Sequence, residues 1–393
     1  MKHNWKYKTL GETCTVIGGH TPKTDNPKYW NGSYNWFTPA EINEQKYYTT
    51  SERKITEEGA KSVGLTLMPK GTVLLTSRAP IGKVGIALED CYCNQGFKCL
   101  ICNTDVLNEF LYYALIYFNK DIKEKGTRVT FKEIYKSTTE SISLPFPPKA
   151  FQQVIADELN LINLTIAKCK TQIRDLEELA LAIFYDIFGI PSDNPYNWPI
   201  HTLKSLVIDK LTYGSGASGI PFDNILRYIR ITDIDENGRQ KADNICSPSI
   251  YDSKYDLQEG DILFARSGAT VGKSFLYKKK YGKSIYAGYL IKARLNQDQI
   301  LPIYLYYLTK TPYYWDYIKK SIAGVAQPNV NAQKYGNFEV SVPPLSLQEK
   351  FEKQIEIINK LIEKTYNQIN DLKTLFDAEW ITGLTINISI YQI

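Results

Sequence analysis

A ladder of apolar residues written twice constrains this chain more than any other feature. Ile155, Leu159, Ile162, Ile166, Cys169, Ile173, Leu176, Ala180, Ile183 and Ile187 follow one another in alternating steps of four and three. That spacing is the narrow a/d seam of a coiled coil, not the broad face of an ordinary globular helix. An offset of 196 residues returns it as Phe351, Ile355, Ile358, Ile362, Thr365, Ile369, Leu372 and Phe376, with Gln172–Leu176 answered by Gln368–Leu372. Pro147-Pro148 and Pro343-Pro344 stand just before the two ladders, where proline forces extended backbone and suits a helix start. Neither ladder contains Gly or Pro. At about 1.5 Å per residue each helix spans about 55 Å. Two seams in matched register bury each other, and the connectivity then makes the helices antiparallel.

The segments between the helices also correspond. Trp36–Ile42 answers Tyr228–Ile234, Pro69–Leu75 answers Gln258–Phe264, Gly82-Lys83 answers Gly272-Lys273, and Phe110–Leu115 answers Tyr304–Leu308. The chain therefore reads as a tandem duplication of globular unit plus long helix. Gly189, Pro191 and Pro195 mark the break between copies. The expected fold is α+β: a mixed α/β unit over 1–149, a long helix over 150–188, a second such unit over 189–344 and a second long helix over 345–380. The helices form an antiparallel coiled coil and the whole is pseudo-two-fold. The tail, 381–393, alternates like a strand and is expected to pack beside the first unit.

Charge is uneven. The net of +5 divides into −2 over 149–187, −2 over 345–380 and +9 elsewhere. Basic globular parts joined by acidic spacers suit a protein that meets a polyanion. Seven Cys without a small secreted framework, and no apolar run long enough to span a bilayer, suggest the cytoplasm.

Several chemistries find no support. His3, His20 and His201 form no catalytic or metal-binding motif. Gly268–Ser274 resembles a phosphate-binding loop but is a residue short, and its counterpart Pro80–Val84 lacks the hydroxyl that would hold magnesium. Asp193–Tyr196 lacks the second proline of a methyltransferase tetrapeptide. Cys91, Cys93, Cys99 and Cys102 have zinc-like density, but the second copy carries Ser284, Tyr286 and Lys292 in that neighbourhood, so buried thiols are expected and no metal. The chain itself is expected to be non-catalytic and without cofactor.

Recognition remains. Twenty-nine Tyr and six Trp stand among Asn, Gln, Lys and Arg in turn-like segments. In the first unit the candidate DNA contacts are Arg78, Lys83, Asn94, Gln95, Thr127, Arg128 and Lys132. In the second they are Arg230, Arg266, Lys273, Lys292, Gln327, Asn329 and Asn331. Arg suits guanine, Asn and Gln suit adenine, and Lys suits phosphate. Singly, each is what a solvated turn would carry; together, similar residues recur at matching places in both copies.

In order along the chain, Thr21-Pro22, Tyr29–Gly32, Trp36–Pro39, Ile55–Gly59, Pro69–Gly71, Arg78–Lys83, Asn94–Lys98, Pro147-Pro148, Gln152-Gln153 and Gln348-Glu349 resemble the specificity subunit of a type I restriction-modification system. The resemblance implies two target-recognition domains, each reading half of a split double-stranded DNA sequence. It makes the long helices a ruler and a dock for two modification (methyltransferase) subunits, with restriction (motor-nuclease) subunits added. S-adenosylmethionine, ATP and Mg would act in those partners. Gly126–Phe131 is wider than the family's Gly-Thr-Thr-Phe pattern, which points to Arg128 as particular to this target. Two other readings stay open: service to a fused methyltransferase-nuclease companion, and a bivalent protein that binds something other than DNA.

Overall fold

Both proline pairs do start helices. In the computed structural model, which describes residues 5–43, 45–124, 133–235, 237–241, 244–324 and 328–382 (side chains to 378), the first long helix runs Lys149–Phe188 and the second Leu345–Thr382. Their starts are held by the same device. The buried Gln152 amide accepts from Leu107 N at 2.9 Å and donates to Pro147 O at 2.9 Å and Asp105 O at 3.0 Å. The buried Gln348 accepts from Leu301 N at 2.7 Å and donates to Pro343 O at 2.7 Å and Gln299 O at 3.3 Å. Leu107 and Leu301 are the N-caps of the short helices Asn108–Tyr117 and Pro302–Leu308. One glutamine in each copy thus satisfies buried backbone groups of a helix entry and of its neighbour, groups that would be costly to leave unpaired.

The ladder is buried at Ile155, Leu159, Ile162, Cys169, Ile173 and Ala180, and at Phe351, Ile355, Ile358, Ile362, Thr365 and Ile369; Ile166, Leu176 and Leu372 are half-buried. One stretch departs from the expected register. Beyond Ala180 the buried positions are Phe184 and Phe188, while Ile183 and Ile187 are half-buried. The reason is aromatic: the Phe184 ring stacks on Tyr304 at 5.5 Å and meets Phe351 edge-on at 5.6 Å. Steps of four follow the wider face of a helix lying on a globular core.

The chain divides into two compact units, with cuts at Lys170/Thr171 and Tyr366/Asn367. Each long helix is therefore shared between the units. In the first unit, Ile155, Leu159 and Ile162 enter the main core, with Ile166, Leu372 and Phe376 packed on it. In the second, the end of the first helix meets the start of the second through Phe184, Phe188 and Phe351. Start beside end in one unit and end beside start in the other makes the helices antiparallel.

The two units share a topology. The first has a sheet ordered Cys14–Gly18, Phe97–Cys102, Val73–Thr76, Val84–Ala87, Tyr47–Tyr48. The second has Thr212–Tyr213, Leu290–Ala293, Ile262–Ala265, Ser274–Leu276, the same order without the outer strand. In each, the apolar strand after the Gly turn lies centrally and is buried throughout. Parallel pairs Trp30–Phe37 with Cys91–Cys93 and Arg227–Ile229 with Ser284–Tyr286 correspond as well, as do the antiparallel pairs Lys6–Thr9 with Ser143–Phe146 and Ile200–Thr202 with Glu339–Ser341. Where Gly19 and Gly214 leave the edge strand, a Cβ would stand 2.2 Å from the Asn94 carbonyl oxygen and 2.3 Å from that of Ala287, so only glycine lets the chains pass.

Gly268–Ser274, the phosphate-loop look-alike, is a turn that enters the strand Ser274–Leu276 rather than a helix, so it offers no helix N-terminus to a phosphate. Cys91, Cys93 and Cys99 lie in an apolar cluster, Cys93 Sγ standing 3.2 Å from Cys99 Sγ. Among the described residues no helix is long and apolar enough to cross a membrane. Residues 383–393 of the tail lie outside the described residues.

Candidate nucleic-acid interface

The turn after each central strand is built by geometry that side chains do not choose. Gly82 and Gly272 have φ of +87° and +90°, a conformation that favours glycine. In the first unit, Thr76 Oγ1 accepts from Lys83 N at 2.9 Å and Asn119 Nδ2 donates to Gly82 O at 2.8 Å. In the second, Tyr314 Oη donates to Gly272 O at 2.8 Å and Tyr335 Oη to Ala265 O at 2.7 Å. What leaves the strand just before that turn is consequently held at one fixed corner of each unit.

In the first unit the corner holds Arg78. Its backbone N donates to Gly96 O at 3.4 Å, which sets it beside Gln95. Its half-exposed guanidinium lies 3.1 Å from Glu133, and Glu133 also meets the buried Lys98 at 3.5 Å. Gln95 is exposed and accepts from Thr21 Oγ1 at 2.5 Å. Asn94 Oδ1 accepts from Gly96 N at 2.8 Å, shaping that turn. Arg78 and the buried Lys98 thus share Glu133, with the Gln95–Thr21 pair beside them. Lys83 is spent elsewhere: its Nζ donates to Ile42 O at 2.6 Å. Thr127, Arg128 and Lys132 lie outside the described residues.

In the second unit the corner holds Arg266. Its backbone accepts from Val330 N at 2.8 Å and donates to Tyr289 O at 3.0 Å. Its guanidinium lies 4.8 Å from the centroid of the Tyr213 ring. Tyr213 Oη in turn accepts from Ala332 N at 3.1 Å. Asn329 bridges to Ser267 next to Arg266, and Asn331 Oδ1 caps the helix Ala332–Gly336 by accepting from Lys334 N at 2.8 Å. Tyr289 is exposed.

Two other candidates of this unit serve the fold, and a third lines a cavity. Arg230 binds Asp233 at 2.8 Å and the Asn244 carbonyl at 2.8 Å; the Asp233 hydrogen bond holds its pKa above the usual arginine value. That pair repeats the Thr38–Glu41 turn of the first unit, where Glu41 accepts from Thr38 N at 2.6 Å. Lys292 is buried at 5.4 Å from the Tyr286 ring, and burial pushes its pKa down. Lys273 lines a cavity of about 280 Å³ with Lys310, Tyr306 and Arg239. Gln327 lies outside the described residues.

Each unit also seats a cation that sequence reasoning passed over. Lys46 meets Glu109 at 2.9 Å and Asn160 of the first long helix at 2.6 Å, with the rings of Tyr47, Tyr112 and Tyr113 at 5.0, 5.5 and 4.7 Å. Burial pushes its pKa down against the pull of Glu109. Arg239 meets Glu177 of the first long helix at 2.8 Å and Tyr366 Oη of the second at 3.0 Å. Beside it Lys310 donates to Asn237 O at 2.8 Å and lies 4.4 Å from the Tyr306 centroid, its pKa pushed down to about 8 by burial. The nearest signal was the Tyr112-Tyr113 and Tyr306-Tyr307 pairs at matching places, which do not say which cation they receive.

A duplicated α+β framework with a polar corner in each copy and two long antiparallel helices defines a class. Residues 2–178 and 222–373 match the Type I restriction modification DNA specificity domain, and the chain belongs to that family. It is 28% identical to the type I restriction enzyme MjaIX specificity subunit of Methanocaldococcus jannaschii, covering 95% of this chain and 91% of that one. It is 21% identical to the EcoKI specificity subunit of Escherichia coli, over 94% of this chain and 85% of the relative. Its fold is similar to the crystal structure of a type I restriction-modification S subunit from M. genitalium, with TM-score 0.54, 14% identity and coverage of 95% and 94%. A chain from a structural study of complex assembly in the type I restriction-modification system aligns with TM-score 0.56, 16% identity and coverage of 97% of each.

Proposed function

We propose that this chain is the DNA specificity subunit of a type I restriction-modification complex, and that each unit reads one half of a bipartite duplex target. The observation that carries the reading is the matched corner: two frameworks of one topology place an arginine at the end of the same strand, Arg78 in one and Arg266 in the other. Phosphate contacts would position each unit, and a few base contacts would specify sequence.

The reading gives the helices two further tasks. They set the separation of the half-sites, and they dock two modification subunits, which restriction subunits join. Duplicated exposed apolar side chains support the docking: Leu161, Leu164 and Leu375 in the first unit, Ile357, Leu361 and Leu179 in the second. Leu161 and Ile357, and Leu179 and Leu375, are related by the same 196-residue offset. The chain would contribute recognition without catalysis, in the cytoplasm, while methyl transfer from S-adenosylmethionine and Mg- and ATP-dependent steps belong to the partners.

Methylation sequencing of host genomes with and without this gene tests the reading. A bipartite adenine motif that vanishes with the gene is expected; an unchanged methylome would overturn it. Deleting four residues from one long helix is expected to alter the recognised spacer or abolish assembly, and an unchanged spacer at full activity would refute the ruler.

A further inference from the structure

We propose that Arg266 is the principal base-reading side chain of the second unit and that it reads guanine; the proposal rests on the DNA-reading function above. The other described arginines of that unit are engaged. Arg174 meets Asp175 and Glu178, Arg230 meets Asp233, Arg239 meets Glu177 and Arg294 meets Asp261. Arg227 donates to the Lys241 carbonyl. Arg266 alone meets no carboxylate and no carbonyl through its side chain among the described residues, and its Nε is buried without an acceptor.

An uncompensated guanidinium at a partly buried corner calls for an acceptor from outside. Tyr213 supplies orientation rather than neutralisation: its ring lies 4.8 Å below the guanidinium, and its hydroxyl is pinned by Ala332 N at 3.1 Å. The ring restrains the fork before a ligand arrives, which lowers the ordering cost of binding. With Nε enclosed, the Nη groups are the donors left to a ligand. A planar pair of donors without a charge partner matches the O6 and N7 acceptors of guanine in the major groove, the commonest arginine contact to a base. In the first unit Glu133 already occupies Arg78, so the two corners do not read alike.

The test is methylation by the chain assembled with its modification subunits, on duplex libraries randomised one half-site at a time. R266Q is expected to lower the preference for one G·C pair in one half-site by about 10- to 100-fold, leaving the other half-site and the spacer unchanged. R266K is expected to keep affinity while losing most of that preference, because ammonium cannot form the planar pair. Y213L, which keeps Arg266 but removes its platform, should weaken the same preference by a smaller factor. Melting curves of the three variants identify any that fail to fold, and Y213L and R266K then carry the test. The assignment is overturned if folded R266Q retains the wild-type preference. It is equally overturned if R266Q weakens all sequences alike with a shallower salt dependence, the mark of a phosphate contact. A wild-type complex that methylates without sequence preference would instead sink the specificity reading itself.

Discussion

The corner after Val73–Thr76 and the corner after Ile262–Ala265 occupy one place in two equal frameworks, yet they treat arginine in opposite ways. Arg78 shares Glu133 with Lys98, whereas Arg266 lies on Tyr213 with no carboxylate among the described residues. The strands, the positive-φ glycines beneath and the buried glutamines behind are the same in both. The difference teaches where divergence is cheap. Backbone geometry and buried amides tolerate few residue types, while side chains at an exposed corner can be exchanged without disturbing what holds them.

Four kinds of change bear on this comparison, in falling order of effect. Gln152→Leu and Gln348→Leu should each destabilise by about 3 kcal/mol, because one buried backbone N–H and two carbonyls lose their partner in each unit. Denaturant titration measures it, and unequal losses would break the claimed equivalence. Next come the seated cations: Lys46→Met and Arg239→Met should cost about 2 kcal/mol, since each removes an ion pair from a half-buried glutamate. Hydrogen exchange should localise each loss to its own unit.

Lys310→Met should act in the other direction. Folded Lys310 has a pKa near 8, below that of free lysine, so keeping it charged opposes folding at neutral pH. The variant should gain about 1 kcal/mol at pH 7, and the gain should shrink as pH rises from about 8 toward about 10.4, where the unfolded lysine also loses its proton. Melting curves across that range would show it, and a gain that grew with pH would contradict the sign. A similar magnitude, a loss of about 1 kcal/mol, is expected for Glu133→Gln, because the buried Lys98 and the half-exposed Arg78 both lose a carboxylate. The same change should strengthen binding to random duplex at low salt by releasing Arg78.

Much of the framework was legible because its signals are periodic or conformational. Alternating fours and threes announce the seam, Pro-Pro the helix starts, and Gly-Lys the turns. The register slip at Phe184 was not legible, because it depends on Tyr304 and Phe351 meeting that face, and neither is near in sequence. The candidate site was legible by residue type alone. Arg78 and Arg266 were both singled out, but so were Lys83 and Arg230, which the fold uses for a loop carbonyl and a turn. A composition of Arg, Lys and Asn in turns cannot tell a cation that faces a ligand from one that holds a loop. That choice is made by partners such as Glu133, Tyr213 and Asp233, which sequence spacing does not bring together.

Arg239 touches Glu177 on one rod and Tyr366 on the other. A single side chain thereby registers axial sliding between them. A slip of one turn, about 5.4 Å, would carry one partner out of reach, so the contact holds the two rods to one axial register at this level.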